Sequence, residues 1–339
     1  MSGSARWMRH QVLKAVRYGW SGLRLTVAHG IALSEQWRPA IRSTTQGSET
    51  LGPRVVLFCH WDSRGRVQEH TRRYVESLRA EGLSIVLSSN AESLAPGDAA
   101  WAASVCAVVI LRRNVGYDFG AWRDALSACG LPRPETTQII LVNDSVYGPF
   151  RPLRDVLARI EASPAAICGL TDSWQRRYHL QSYFLSFRPE AFGSPAWRRF
   201  WDQVLLSRSK RYVVQSYEIG LTQALLRAEL SCDVLWPYLD LVEHVRQEVA
   251  GRDPEAPADH LHLAADARIL AAADGRFALN PTADLWSALM DNGFPFLKRE
   301  LLRSNPSHVI DVARWREADA EEEAVVRRDL RVSMRHRTP

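Results

Sequence analysis

Residues 138–145 read Gln-Ile-Ile-Leu-Val-Asn-Asp-Ser. The apolar run that ends at Val142 is typical of a buried β-strand, and Asn143-Asp144-Ser145 follows it directly. A carboxylate at the end of a buried strand costs free energy unless it is paired, hydrogen-bonded or bound to a metal. Two interpretations of Asp144 therefore stay open: it closes the turn that leads to Gly148, or it holds a ligand.

Three more short apolar runs surround this segment in the pattern of a parallel sheet. They lie at residues 54–59, 83–87 and 107–111, with a helix predicted over 67–81 and another from near Phe119. Strands that alternate with helices over such short spans predict an α/β fold with a mostly parallel sheet flanked by helices. Ligands of such sheets bind beyond the carboxyl ends of the strands.

Polar residues follow all four predicted strands, and parallel pairing would bring them to one edge. Four polar strand ends in register favour a ligand site over chance turns and helix caps. The candidate contacts are His60 and Asp62, then Asn90, then Arg113, Asn114, Gly116, Tyr117 and Asp118, and finally Asn143, Asp144 and Ser145.

The third of these clusters has the most specific chemistry. Gly116 and Gly120 allow a backbone to approach a ligand closely, and Arg113 offers forked donors to a diphosphate. Asp118 either caps the helix that follows or accepts hydrogen bonds from sugar hydroxyls, and both roles remain open.

Further along the chain, residues 179–187 are predicted to form a strand with polar residues at its start. His179, Gln181 and Ser182 are candidates for contact with a sugar or an acceptor, although a lone histidine is more often structural. Glu218 stands at the predicted start of a helix. There it either stabilises the helix dipole or acts as a general base.

The bulk properties limit the class of protein. A chain of 339 residues with 46% hydrophobic residues can bury a sizeable core, as one large domain with extensions or two joined ones. Five cysteines without Cys-x-x-Cys spacing argue against a disulfide framework or zinc site and fit a reducing cytoplasm. No membrane span or secretory signal is predicted. The net charge of +5 suits an acidic partner, but no zinc-finger or RNA-binding motif is present, so nucleic acid is not predicted.

Four segments are predicted along the chain. Residues 1–50 contain a basic amphipathic helix (6–37) and a Ser/Thr/Gly-rich linker; 51–245 form the sheet domain; 246–316 form a helical accessory lobe; and 317–339 form a charged, frayed tail. The helix either packs on the protein's own body or lies on an anionic membrane surface. Lys298 and Arg299 are predicted to be solvated rather than to meet an acceptor pyrophosphate.

Five ordered motifs are shared with a known family. They are Asn114-Val-Gly-Tyr-Asp-Phe-Gly-Ala-Trp122, Val142-Asn-Asp-Ser-Val-Tyr-Gly-Pro149, His179-Leu-Gln-Ser-Tyr-Phe184, Tyr217-Glu-Ile-Gly-Leu-Thr222, and Asn280-Pro-Thr-Ala-Asp-Leu-Trp286 with the segment 293–302. From about residue 54 to 315 the chain resembles the rhamnan synthesis protein F family. The resemblance implies a bacterial glycosyltransferase that builds cell-surface polysaccharide, such as rhamnose-containing O-antigen of lipopolysaccharide. The motif order also resembles that of the GT-A superfamily, whose fold is Rossmann-type.

The resemblance implies partners and roles. The expected donor is a dTDP- or GDP-linked deoxyhexose, transferred with inversion to a lipid-linked glycan in the cytoplasm or at the inner face of the cytoplasmic membrane. Glu218 would be the base and Asp144 the diphosphate anchor and metal ligand, the strand-end residues would bind the donor, and His179, Gln181 and Ser182 the acceptor. Because Asn143 replaces one acid of an Asp-x-Asp motif, Mg²⁺ or Mn²⁺ is expected but not required.

Two alternatives to a nucleotide-sugar transferase remain open. One is a non-catalytic subunit of a polysaccharide synthesis complex that binds nucleotide sugar or glycan, which the incomplete Asp-x-Asp favours. The other is a glycan-modifying transferase that uses a phospho-donor.

Overall fold

Uninterrupted apolar runs form the central strands of the fold, as the sequence predicts. The computed structural model describes residues 23–251, 260–309, 312–317 and 320–334, and the start of the predicted helix over 6–37 lies outside these ranges. The described part of the chain forms a nine-stranded mixed sheet with helices packed on both faces.

The strands of the described residues belong to the nine-stranded sheet and to a second sheet of two strands. They are β1 (Ile41–Gln46), β2 (Arg54–His60), β3 (Ser84–Ser89), β4 (Val108–Arg112), β5 (Gln138–Asn143), β6 (Val146–Tyr147), β7 (Ile167–Ser173), β8 (His179–Leu180), β9 (Phe184–Phe187), β10 (Cys232–Trp236) and β11 (Leu297–Lys298).

The helices connect and cover these strands. They are α1 (23–35), α2 (Glu69–Ala80), α3 (Pro96–Val105), α4 (Tyr117–Ala128), α5 (Leu153–Ala162), α6 (Pro189–Phe192), α7 (Pro195–Asp202), α8 (Lys210–Val213), α9 (Ile219–Leu226), α10 (Tyr238–Ala250), α11 (His260–Ala273), α12 (Pro281–Asp284), α13 (Trp286–Asp291), α14 (Arg299–Arg303) and α15 (Ala320–Met334). A π-helical turn, Val214–Glu218, joins α8 to α9, and Val312–Glu317 is a 3₁₀-helix.

The strand order of the main sheet is β1-β4-β3-β2-β5-β9-β7-β10, with β8 beside β7. The four central strands β4, β3, β2 and β5 pair in parallel, and β9 runs antiparallel between β5 and β7. This arrangement confirms the predicted mostly parallel sheet flanked by helices. It also brings the carboxyl ends of the four central strands to one edge.

Alternation along the central strands supplies both hydrophobic layers. In β2, Val56 and Phe58 pack into one core cluster, while Val55 and Leu57 pack into the other. All four are fully buried, and burial of each such side chain stabilises the fold by about 1.5–3 kcal/mol. Since both faces of the strand are buried, its sequence is continuously apolar rather than alternating.

Two segments differ from their predicted secondary structure. Residues 41–46, expected within a linker, form β1, which pairs antiparallel with β4 at the sheet edge. Its side chains are mostly exposed, so backbone hydrogen bonds rather than burial hold it, and an apolar pattern could not signal it. Residues 179–187, expected as one strand, are divided into β8 and β9.

The C-terminal part of the chain packs tightly against the sheet domain. The two-residue strand β11 pairs antiparallel with β6, directly after β5. The tail that was predicted to be frayed contains α15, whose Val325, Val326 and Asp329 are buried. The predicted boundary between residues 245 and 246 falls inside α10.

In the described ranges, every helix is too short or too polar to cross a bilayer.

Candidate functional site

A cleft of about 720 Å³ opens at the carboxyl ends of the central strands, and we name it the strand-end cleft. Its polar lining comes from the segments that follow β3, β4 and β5. The Ser182 segment, the π-turn and the region of β11 and α14 complete it. Its polar and charged lining residues include Asn90, Asn114, Tyr117, Asp118, Asn143, Asp144, Ser145, Ser182, Glu218, Lys298, Arg299 and Arg303.

Asn143 organises the end of β5. Its side-chain oxygen accepts the backbone N–H of Ser145 at 3.1 Å, and its amide nitrogen donates to the carboxylate of Asp118 at 3.1 Å. Asn143 therefore closes the turn, which was one role considered for Asp144. The same side chain links the end of β5 to the start of α4.

The Asp144 carboxylate is paired with a cation from the C-terminal region. Its Oδ2 accepts the backbone N–H of Trp61 at 3.2 Å and lies 3.5 Å from the Arg299 guanidinium. Arg299 also donates to the backbone carbonyl of Asp144 at 2.6 Å. These contacts meet the requirement that a carboxylate at the end of a buried strand be paired.

Asp118 lies in the first turn of α4 but does not cap it, since Gly116 occupies the N-cap position. Its carboxylate accepts the backbone N–H of Phe119 at 3.0 Å as well as the Asn143 amide. Burial and the nearby Glu218 carboxylate raise the pKa of Asp118 to about 6. An acid with this pKa changes its charge near pH 6 rather than near pH 4.

The two glycines of the third cluster serve packing. A Cβ on Gly116 would lie 2.9 Å from Leu206, and one on Gly120 would lie 3.0 Å from the same side chain. They were expected to allow close approach to a ligand, but the close neighbour is Leu206.

Tyr117 is held in a left-handed backbone conformation, with φ of +53°. Such a conformation costs a non-glycine residue about 1–3 kcal/mol and occurs often at functional sites. Two hydrogen bonds hold it: its carbonyl accepts the Asn90 amide at 3.2 Å, and its hydroxyl donates to the Arg208 carbonyl at 3.2 Å. The ring thereby lines the cleft.

Glu218 lies inside a continuous helical stretch, not at a helix start. Helix α8, the π-turn and α9 follow one another without interruption from Lys210 to Leu226. A dipole at a helix N-terminus therefore does not explain its position, and π-turns are frequent at functional sites. Its Oε1 accepts the backbone N–H and the hydroxyl of Ser182 at 3.1 and 3.0 Å.

Lys298 and Arg299 lie in the strand-end cleft, so the prediction that they are solvated is wrong. Only 9% of Arg299 is exposed, and the Lys298 ammonium lies over the Tyr183 ring at 5.9 Å. Burial lowers the pKa of Lys298. The pairing of β11 with β6 carries both cations to the end of β5.

Six predicted contacts have positions that differ from those expected. Gly116 packs against Leu206. His60 is buried and its ring contacts the Ser89 hydroxyl at 2.9 Å. Asp62 accepts backbone N–H groups of its own loop, at 2.8 Å from Arg64. Arg113 pairs with Glu35 at 2.9 Å. These side chains are committed to structural partners.

The remaining two belong to the predicted acceptor group. His179 contacts the carbonyl of Arg177 at 2.8 Å, and Gln181 accepts the Thr171 hydroxyl at 2.7 Å. Ser182, the third member, lines the strand-end cleft and is hydrogen-bonded to Glu218. A polar residue near a strand end therefore contributes to the cleft only if its side chain is not already bonded within the sheet.

The residues of the cleft do not fit a preformed divalent-metal site. Across the described residues, no group of three or more His, Cys, Asp or Glu side chains is placed to hold a metal ion. Asp144 is paired with Arg299, and Asp118 is bonded to Asn143. The Arg299 guanidinium therefore already neutralises the Asp144 carboxylate that a divalent ion would use.

A second cleft, of about 780 Å³, lies between α10, α11 and α13. Its lining includes Leu279, Trp286 and Ala288, and its Asp284 pairs with Arg268 at 3.0 Å. It is separate from the strand ends and contains none of the motif residues 114–122 or 142–149.

Comparison with known proteins confirms the family resemblance. The sequence profile of the rhamnan synthesis protein F (RgpF) family matches residues 85–246. This range contains β3–β5, the motif residues 114–122, and Glu218.

Curated relatives include an uncharacterized protein, y4gN, of Sinorhizobium fredii, which is 28% identical over 183 residues. That match covers 53% of this chain, and the chain spans about half (47%) of the length of y4gN. The virulence protein VirA of Vibrio anguillarum is 27% identical over 268 residues, which cover 75% of this chain and 81% of VirA.

Similar solved structures include a mannosyltransferase of Pyrobaculum calidifontis in complex with GDP-Man and Mn²⁺. It has a TM-score of 0.34 and 12% identity, with 92% of this chain and 91% of that one covered. A 4-diphosphocytidyl-2C-methyl-D-erythritol synthase of Anaerococcus prevotii has a TM-score of 0.33 and 10% identity, with 54% and 88% covered.

The raised pKa of Asp118 predicts a pH dependence of stability. Its folded pKa of about 6 lies above the ordinary aspartate value of 3.8, so the folded protein binds this proton more tightly and loses stability as pH rises through that window. Between about pH 4 and about pH 7.5, the wild type should lose about 1–2 kcal/mol more unfolding free energy than Asp118→Asn, after allowance for partial exposure.

Chemical denaturation of both proteins at both pH values measures this difference. For each protein, the free energy of unfolding at one pH is compared with its value at the other pH. The effect of hydrogen bonds lost in the variant therefore cancels. Equal losses in the two proteins would show that Asp118 titrates normally.

Proposed function

We propose that the chain is a glycosyltransferase that uses a nucleotide-sugar donor in the strand-end cleft. The observation that carries the proposal is the meeting, in that cleft, of the Glu218 and Asp118 carboxylates with the Lys298 and Arg299 cations. Sugar transfer from a nucleotide sugar needs a base for the incoming hydroxyl and positive charge for the departing diphosphate. The family match over residues 85–246 supports the same class of reaction.

Glu218 is the proposed general base. As the acceptor oxygen attacks the anomeric carbon, its proton passes to the Glu218 carboxylate, and the bond to the diphosphate breaks with its electrons on the leaving oxygen. A single displacement of this kind inverts the anomeric configuration. The two hydrogen bonds from Ser182 to Oε1 orient the carboxylate and leave Oε2 for the acceptor.

Asp118, Asn114 and Tyr117 are the proposed contacts to the nucleotide or sugar, and Asp144 is the anchor at the diphosphate. The donor is proposed to be a dTDP- or GDP-linked deoxyhexose such as rhamnose, and the acceptor a lipid-linked glycan of a bacterial surface polysaccharide. The family name supports the sugar class, and the motif order supports a GT-A-like arrangement. The divalent metal that the resemblance implies remains a prediction.

Glu218→Gln should lower kcat by about 100-fold or more, because the amide cannot accept the proton, with little change in the KM of the donor. Transfer is measured by mass spectrometry after a screen of nucleotide sugars has found the donor. Glu190→Gln, an equivalent change at an exposed helix position outside the cleft, is the matched control.

Two outcomes would contradict the proposal. Full transfer by Glu218→Gln would remove its role as base. A wild-type chain that binds a nucleotide sugar but neither transfers nor hydrolyses it would favour the non-catalytic subunit.

We also propose that α1 lies on the anionic inner face of the cytoplasmic membrane. One side of α1 packs on the body through Ala28 and Ala32. On the other side Leu23, Val27 and Ile31, spaced four residues apart, are 50–56% exposed. Trp37, just beyond the helix, is 88% exposed, and Arg24 and Arg38 are exposed beside it. An apolar face with a basic rim is the pattern of an interfacial helix.

Replacement of Leu23, Val27 and Ile31 by serine should weaken binding to anionic vesicles by about tenfold or more, since apolar area is lost. Cosedimentation with vesicles of anionic and neutral lipid measures it. The matched control replaces Leu239, Leu263 and Phe277, which are 44–60% exposed elsewhere. Absence of vesicle binding by the unmodified chain, or equal weakening in both variants, would contradict the proposal.

A further inference from the structure

We propose that Lys298 and Arg299 form a diphosphate-binding subsite that supplies the positive charge otherwise expected from a divalent metal. The identity of the ligand rests on the proposed function, whereas the anion-binding chemistry rests on the geometry of the two cations. A phosphate needs cationic donors that are placed before it arrives, and a guanidinium next to an ammonium provides them.

Arg299 is buried and only partly satisfied. Its guanidinium reaches the carbonyl of Asp144 at 2.6 Å and lies 3.5 Å from that carboxylate and 3.6 Å from Asp329. Its Nε is buried without a hydrogen-bond partner. Arg299 is 91% buried and lines the strand-end cleft, so its positive charge is in place before an anion arrives.

Lys298 has still fewer partners. Among the described residues its ammonium makes no hydrogen bond or ion pair, and its nearest aromatic contact is the Tyr183 ring at 5.9 Å. The Glu218 and Glu300 carboxylates favour its charged form from a distance, while burial opposes it. A half-buried ammonium without a partner is costly, and a bound anion would relieve that cost.

Asp329 of α15 holds Arg299 and Arg303 in place. Its carboxylate accepts the Tyr147 hydroxyl at 2.5 Å and lies 3.0 Å from Arg303 and 3.6 Å from Arg299. Tyr147 is part of β6, the strand with which β11 pairs. Asp329 is therefore a positioning residue, which ties the end of the chain to the strand that carries the subsite.

Arg299 already supplies positive charge at the carboxylate that the resemblance assigns to a metal. Oδ2 of Asp144 lies 3.5 Å from this guanidinium, and among the described residues no group of three or more His, Cys, Asp or Glu side chains is placed to hold a metal ion. A diphosphate that contacts Arg299 and Lys298 needs no rearrangement of this pair.

The test is isothermal titration of the full chain with inorganic pyrophosphate, and with dTDP and GDP, in EDTA and then in Mg²⁺. The wild type should bind pyrophosphate and one nucleotide equally well in both conditions. Lys298→Met should weaken both by about tenfold or more, as expected for a lost charge-assisted contact. Arg246→Gln removes one positive charge from an exposed position of α10. It should change neither the affinity for pyrophosphate nor that for the nucleotide.

Arg299→Gln should weaken binding similarly, with folding checked by thermal denaturation because Asp144 and Asp329 lose their partner. Lys298 has no ion pair to lose, so Lys298→Met decides the question if Arg299→Gln does not fold. The subsite is overturned if EDTA abolishes binding and Mg²⁺ restores it, if Lys298→Met binds like the wild type, or if the wild type binds none of the probes.

The subsite and the proposed function can fail separately. Transfer activity together with unchanged pyrophosphate affinity in Lys298→Met would keep the function and reject the subsite. Pyrophosphate binding that depends on Lys298, without transfer from any nucleotide sugar, would keep the subsite and reject the function.

Discussion

The ion pair between Arg299 and Asp144 joins the end of a central strand to a segment 155 residues further along the chain. Both side chains are largely removed from water, and removal of one partner from such a pair costs about 3–5 kcal/mol. The C-terminal region must therefore pack on the sheet for Asp144 to be tolerated. Arg299 also lies 3.6 Å from Asp329, which links α15 to the strand-end cleft.

Among the charged residues that line the cleft, neither the Asp118 nor the Glu218 carboxylate is paired with the Lys298 ammonium. Asp118 is held by Asn143 and Glu218 by Ser182, both neutral partners. The carboxylates thus stay available for proton transfer or for hydroxyl groups, and Lys298 stays available for an anion. A sugar transfer of the proposed kind needs both features. A carboxylate takes up the proton of the incoming hydroxyl, and a cation binds the departing diphosphate.

The sequence predicted those elements whose signal is local. Strands β2 to β5 are buried on both faces, so their apolar runs and their parallel order could be recognised, and Asn90, Asp118 and Asn143 were rightly expected to lie together. Whether a side chain points into the cleft depends on its tertiary partners. His60 is hydrogen-bonded to Ser89, and Arg113 is paired with Glu35. Strand β11 has two residues and no periodicity, and Asp329 lies in a charge-rich helix. From the sequence, Lys298 and Arg299 are therefore predicted to be solvated rather than to meet a pyrophosphate, although both lie within a motif shared with the family.

The most direct measurement is a crystal structure of the full chain with dTDP or GDP, grown without added divalent metal. The account predicts that the phosphate oxygens lie within hydrogen-bond distance of the Lys298 ammonium and the Arg299 guanidinium, with the Glu218 carboxylate facing the space beyond the terminal phosphate. A nucleotide bound in the cleft between α10, α11 and α13, or one held at Asp144 through a metal ion with Arg299 displaced, would contradict it.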